Sequence, residues 1–497
     1  MANLKSLVKD TAIYGISSIA GRFINYLLVP IQTAAFVAGG GEYGVVTNIY
    51  AYTALLMVVL TYGMETTFFR FVNKTEEKPL TVYATTLMAV GATSCLFIAV
   101  VLAFLPQIAT FMQYPDHPSW VAVMFICVAI DAFKAIPFAY LRYQRKALKF
   151  ATLQLVNILL NIALNLLYLL VLPALQLNPC GLYDAHFTLD VGMVFYINLV
   201  CTAVVLLCFY KELTGFPYRF DRQLWQRMLR YTWPLLLLGI AGILNQTLDK
   251  IIFPYLYVGN DAQTQLGIYG AAAKIAMIMA MITQAFRYAY EPFVFGKAKD
   301  RDNRDTYAQA MKYFIIFTLL AFLMVIGYLD VLRYIIRDES YWPGLKVVPI
   351  VMAAEIMMGI YFNLSFWYKL IDKTIYGAWF SGIGCLVLVA VNVWLVPRYS
   401  YMACAWGGVA GYGTAMVLSY VVGQRKYPIA YPLKSIGCYV LIAACFAIAM
   451  SYANRYLPMA GALLVNSGLL LLFIAHILYH DFPLSKLPVV GKYFSKH

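Results

Sequence analysis

Residues 150–173 read FATLQLVNILLNIALNLLYLLVLP, and none of their side chains is charged. A helix needs about 20 predominantly apolar residues to cross the hydrocarbon layer of a bilayer. A transmembrane strand would need only about ten, alternating in polarity. The stretch therefore predicts one membrane-spanning helix. Its flanks differ sharply: Arg142, Arg145, Lys146 and Lys149 precede it, whereas the connection 174–190 holds Asp184, His186 and Asp190 but no Lys or Arg. Basic loops stay on the cytoplasmic side of a membrane, so this helix runs outward.

Working outward from it, comparable runs lie near 10–36, 43–70, 82–105, 119–141 and 191–210. A second set follows near 231–256, 265–290, 311–329, 344–368, 375–397 and 401–422, and two more near 434–453 and 459–479. The fold class is an all-α polytopic membrane protein with about 14 transmembrane helices. The loops test this map, because alternate connections hold 28 of the 37 basic residues. The opposite set holds only Arg333, Arg337, Lys346, Arg398 and Arg455. A missed helix would scramble that alternation, so both termini are expected to be cytoplasmic. The first run carries Arg22 and has no small-residue cleavage site after a short core, which predicts a retained span rather than a signal peptide.

Composition agrees. The 497 residues are 62% hydrophobic and 12% charged, with a mean hydropathy of +0.72, whereas soluble chains carry about 25% charged residues. Intrinsic disorder and a large soluble enzyme are excluded. The net charge of +14 is explained by topology and does not call for nucleic acid. The long basic connections 211–230 and 291–310 have the look of amphipathic segments lying on anionic headgroups, but their plainer reading as topology anchors is the favoured one.

Six spans precede the seventh, which restarts from the cytoplasm. Ile19-Ala20-Gly21 and Ile240-Ala241-Gly242 occupy the same stage of the two halves, as do Tyr43-Gly44 and Tyr269-Gly270. Parity and this faint repeat predict two parallel six-helix lobes meeting at a central interface. The resulting division is residues 1–210, residues 211–422, and an appendage of two helices in residues 423–497.

Charged groups inside spans carry the functional expectation. Each costs at least about 2.5–3.5 kcal/mol to insert and therefore tends to face a wet cavity. The cations are Arg22, Lys134, Lys250 and Lys274; the anions are Asp131, Asp249 and Glu355. Glu65 lies close to the cytoplasmic end of the second span and reads as interfacial. Asp131 and Lys134 share a helical face and can pair, either locking neighbouring helices or serving transport. Asp249 and Lys250 are adjacent, should point in different directions, and each needs a partner elsewhere. Lys250 and Lys274 reach similar depths, where two ammonium groups can hold a diphosphate, and Arg22 adds a planar fork suited to phosphate oxygens. Structural pairing is the competing reading. Asn157, Asn161 and Asn165 form one polar stripe, and Pro30, Pro137, Pro234, Pro254 and Pro349 interrupt spans. No nucleotide-binding Gly-rich loop, His-Glu-x-x-His or Cys-x-x-Cys motif is present, and no loop is large enough for an enzyme's catalytic groups. No cofactor and no metal is expected.

The residues that bear a family likeness open each half. Lys9-Asp10-Thr11, Leu28-Val29-Pro30, Glu42-Tyr43-Gly44 and Tyr62-Gly63-Met64-Glu65 resemble the Wzx-type polysaccharide flippases of the multidrug/oligosaccharidyl-lipid/polysaccharide (MOP) exporter superfamily. Leu248-Asp249-Lys250, Gly267-Ile268-Tyr269, Ala273-Lys274-Ile275 and Glu291-Pro292-Phe293 extend the resemblance to the second half. It implies MATE/MurJ-like lobes and alternating access. The implied substrate is an undecaprenyl-diphosphate-linked oligosaccharide, moved to the periplasmic leaflet of a bacterial inner membrane for surface polysaccharide biosynthesis. A cationic cavity matches Arg22, Lys250 and Lys274, while Asp249 and Glu355 leave room for a coupling ion. Polysaccharide polymerase and glycosyltransferase partners are also implied. The competing transport reading is a MATE-like exporter of small cationic compounds.

Overall fold

The computed structural model describes residues 26–74, 78–183, 187–297, 304–371 and 373–481. Every regular element among them is helical. Among the described residues, eleven helices are long and apolar enough to cross a membrane, and the expected count of about fourteen is not confirmed. The differences are local. The first run is described only as α1 (Leu28–Ala35). The sixth, α7 (Gly192–Cys208), has 17 residues, and the twelfth, α13 (Met402–Lys426), is rich in glycine.

The first group comprises α2 (Glu42–Thr61), α3 (Met64–Lys74), α4 (Pro79–Ala103), α5 (Pro118–Tyr143), α6 (Ala147–Leu166) and α7. The single run expected at 43–70 is broken between α2 and α3. Tyr62 and Gly63 there take φ of 33° and 73°, and a left-handed residue ends a helix. The second group comprises α8 (Arg222–Leu256), α9 (Ala262–Lys297), α10 (Arg304–Gly327), α11 (Val348–Leu364), α12 (Ile375–Tyr399) and α13. Asp221 caps α8 by accepting a hydrogen bond from the Leu224 amide at 2.9 Å. The stretch 222–230, read in sequence as part of a basic connection, is therefore the opening of a spanning helix. Pro349 does not interrupt its span either: it sits in the first turn of α11, where a missing N–H costs nothing.

The last two helices, α14 (Leu433–Tyr456) and α15 (Met459–His480), pack on α10. Tyr439, Met450 and Phe473 join the same buried cluster as Phe314 and Leu323. A polar latch fixes them: Asn466 donates to the Gly327 carbonyl at 2.7 Å and to Asn454 at 2.6 Å, and Asn454 donates to the Ile326 carbonyl at 3.1 Å. Such bonds hold membrane helices together where apolar contact alone gives no preference over lipid.

The two groups meet along α2, which packs on both α8 and α9. At the end opposite the Lys-rich loops the approach is backbone to backbone. A Cβ on Gly44 would fall onto the Gln263 carbonyl oxygen, and one on Gly270 onto the Thr47 hydroxyl. Only glycine allows this crossing. Hydrogen bonds complete the seal. Tyr341 donates to the Phe36 carbonyl at 2.7 Å, Tyr255 to the Phe111 carbonyl at 2.6 Å and the Arg337 amide to Thr33 at 3.1 Å.

Candidate functional site

The α5 helix places Asp131 and Lys134 one turn apart, and their side chains form an ion pair at 2.7 Å. Thr202 on α7 completes the cluster. Its hydroxyl donates to Asp131 at 2.9 Å and accepts from Lys134 at 3.3 Å, while its carbonyl accepts from Lys134 at 3.4 Å. The pair is uneven: the Lys134 side chain is 4% exposed and that of Asp131 is 38% exposed. The carboxylate is therefore the member presented to solvent.

It is presented into a cavity of about 540 Å³. Its walls include Tyr50 of α2, Asn157 and Gln154 of α6, and Asn198 of α7. Toward the Lys-rich end they also include Glu65 of α3 and Arg142 of α5, which form a second ion pair. The Arg142 guanidinium lies over the Phe69 ring at 5.0 Å and the Phe150 ring at 5.8 Å, contacts that attract a cation to an aromatic face. Two cations and two anions thus stand among the apolar walls of a hollow that reaches from the middle of α5 to its basic end. The asparagine stripe divides by role. Asn157 faces the cavity, whereas Asn161 donates to Asn198 at 2.9 Å and Asn165 to the Asn161 carbonyl at 2.8 Å.

The second charged cluster lies on α8, α9 and α11. Here the expectation that Asp249 and Lys250 diverge is overturned. The flexible lysine stem folds back, and its ammonium lies 3.0 and 3.1 Å from the two carboxylate oxygens of Asp249. Tyr269 donates to the same carboxylate at 2.8 Å, and the Gln246 carbonyl accepts from Lys250 at 3.0 Å. The Lys250 carbonyl accepts from Asn48 of α2 at 2.8 Å, and Asn48 accepts from Tyr114 at 2.9 Å. This cluster is thereby tied into the seal between the groups. Lys274 and Glu355 lie within electrostatic range of Lys250. Among the described residues neither has a hydrogen-bond or ion-pair partner.

Of the expected diphosphate ligands, Arg22 lies outside the described residues. Lys250 and Lys274 share one cluster but are not among the walls of the 540 Å³ cavity. Two of that cavity's walls, Arg142 and Glu65, read in sequence only as a loop charge and an interfacial acid. The signal is present in part, because Lys134, Phe138 and Arg142 repeat at four-residue spacing on one face of α5. Glu65, from a different helix, has no such signal.

A family described as polysaccharide biosynthesis protein matches residues 7–289. No curated protein sequence matches. Solved structures share the fold at low identity. The structure titled lipid II flippase MurJ, inward closed conformation, is 12% identical with a TM-score of 0.73, covering 94% of this chain and 99% of that one. An inward-facing multidrug resistance MATE family transporter of the MOP superfamily is 14% identical with a TM-score of 0.62, covering 82% and 93%. The MATE multidrug transporter DinF-BH is 14% identical with a TM-score of 0.59, covering 85% and 96%.

Proposed function

Because the chain belongs to the polysaccharide biosynthesis protein family, we propose that it flips undecaprenyl-diphosphate-linked oligosaccharide from the cytoplasmic to the periplasmic leaflet of a bacterial inner membrane. The observation that carries this reading is the conjunction of a glycine-packed seal at one end with a cavity, charged side chains among its walls, running to the other. With the Lys-rich loops on the cytoplasmic side, that arrangement is open to the leaflet where a lipid-linked glycan would load. Two lobes rocking about the α2–α8–α9 contact would then expose the cavity alternately.

Arg22, Lys250 and Lys274 are the proposed diphosphate ligands, with Asp249 and Glu355 as candidate coupling or charge-balancing acids. Lys250 is engaged by Asp249 in this conformation, so the incoming diphosphate must displace that carboxylate. Arg142 would be freed by the same kind of exchange with Glu65. The test is complementation of a deletion strain. Arg22→Ala, Lys250→Ala and Lys274→Ala should each lower surface polysaccharide at unchanged protein level, and full export by all three would refute the assignment.

One observation favours the second reading, export of small cationic compounds. In the 540 Å³ cavity it is the carboxylate of the Asp131–Lys134 pair that faces solvent. Drug susceptibility of the deletion strain, scored beside its surface polysaccharide, separates the two.

A further inference from the structure

A different cavity is lined by the first group and the chain that follows it, at the Lys-rich end. It has a volume of about 670 Å³ and sits where the α5–α6 turn meets the chain following α7. Lys146, Lys149 and Lys211 line it together with Glu212. Lys149 donates to both Glu212 oxygens, at 2.7 and 2.5 Å, so these two charges cancel. Among the described residues, the side-chain ammonium groups of Lys146 and Lys211 have no hydrogen-bond or ion-pair partner. The cavity therefore carries about two uncompensated positive charges.

Its frame is rigid. Tyr140, one wall, stacks on Tyr83 at 4.0 Å, and Phe216, another, packs on the same ring at 5.2 Å. The Tyr83 hydroxyl donates to the Glu212 carbonyl at 2.9 Å. Exposed apolar side chains flank its walls in the chain: Leu148, between Lys146 and Lys149, is 75% exposed, Leu207, next to Cys208, is 76% exposed, and Tyr210, itself a wall, is 71% exposed. Exposed leucines beside unpaired lysines, at the end of membrane-spanning helices, mark the level where acyl chains meet headgroups.

We propose that this cavity is a binding site for the phosphate headgroup of an anionic membrane phospholipid. The two free ammonium groups contact the phosphate oxygens, and the exposed leucines contact the upper acyl chain. The site shares no lining residue with the 540 Å³ cavity, so it does not depend on which substrate is transported.

The full chain, purified in detergent, is offered phosphatidylglycerol, phosphatidylethanolamine or sodium pyrophosphate, and retained ligand is read by native mass spectrometry. Phosphatidylglycerol should be retained about tenfold more than phosphatidylethanolamine. The double substitution Lys146→Gln/Lys211→Gln should abolish that preference, whereas Arg425→Gln/Lys426→Gln, at the same end of the second group, should leave it intact. Displacement of phosphatidylglycerol by pyrophosphate would support phosphate as the recognised group. Equal retention of the two lipids would overturn the site, as would an equal loss in both double variants. Binding of pyrophosphate with no lipid preference would overturn its assignment to a membrane lipid.

Discussion

Lys134 is sealed from water while its partner Asp131 faces the cavity, so the two ends of this ion pair differ in what their loss costs. Asp131→Asn leaves a buried ammonium without its counter-charge, facing only neutral oxygens, and should destabilise by about 3 kcal/mol. Lys134→Met leaves a carboxylate already in contact with solvent and should cost about 1 kcal/mol. Thermal unfolding of the two variants in one detergent checks the order, and the reverse order would mean that the cavity is dry. In the second cluster, Tyr269→Phe removes a hydrogen bond to a buried carboxylate, and a loss of about 2 kcal/mol is expected in the same assay. The i, i+3 spacing makes the Asp131–Lys134 pair legible in sequence. The Glu65–Arg142 and Lys149–Glu212 pairs are not, because their members lie on different helices and only packing brings them together. Asp249 and Lys250 mislead for another reason: backbone direction does not fix where a four-carbon stem ends.

At the scale of the helix, apolar runs locate most of the spans, since their length is set by the bilayer. Hydropathy does not register backbone torsion, so the left-handed break at Tyr62–Gly63 is invisible to it. The Tyr43-Gly44 and Tyr269-Gly270 pairs read as a faint repeat. Their use, letting α2 and α9 cross in backbone contact, emerges only when the two halves are placed together. Adding a side chain there should wedge the seal open. Gly44→Leu should lengthen the distance between spin labels at Gly39 and Val258, both exposed on the sealed side. An unchanged distance distribution would mean that this crossing does not govern the seal.

For the whole molecule, moving one charge through 100 mV is worth about 2.3 kcal/mol, so a diphosphate with two negative charges leaving a negative interior gains roughly 4–5 kcal/mol. Dissipating the membrane potential should therefore slow glycan export even with the pH gradient maintained, as followed by appearance of labelled glycan on spheroplasts. An export rate that follows the pH gradient alone would instead place the driving force on a proton and on acids such as Glu355. The bipartite layout is an expectation drawn from loop charge and parity. The attachment of the final pair of helices is not legible in sequence, because it rests on Asn454 and Asn466 reaching two carbonyls at the close of α10. That latch makes the pair a passenger of the second half. On the proposed alternating access, a bulky fluorescent protein joined beyond residue 481 would report the swing of that half alone, and a donor dye on α5 would see it approach and recede with every turnover.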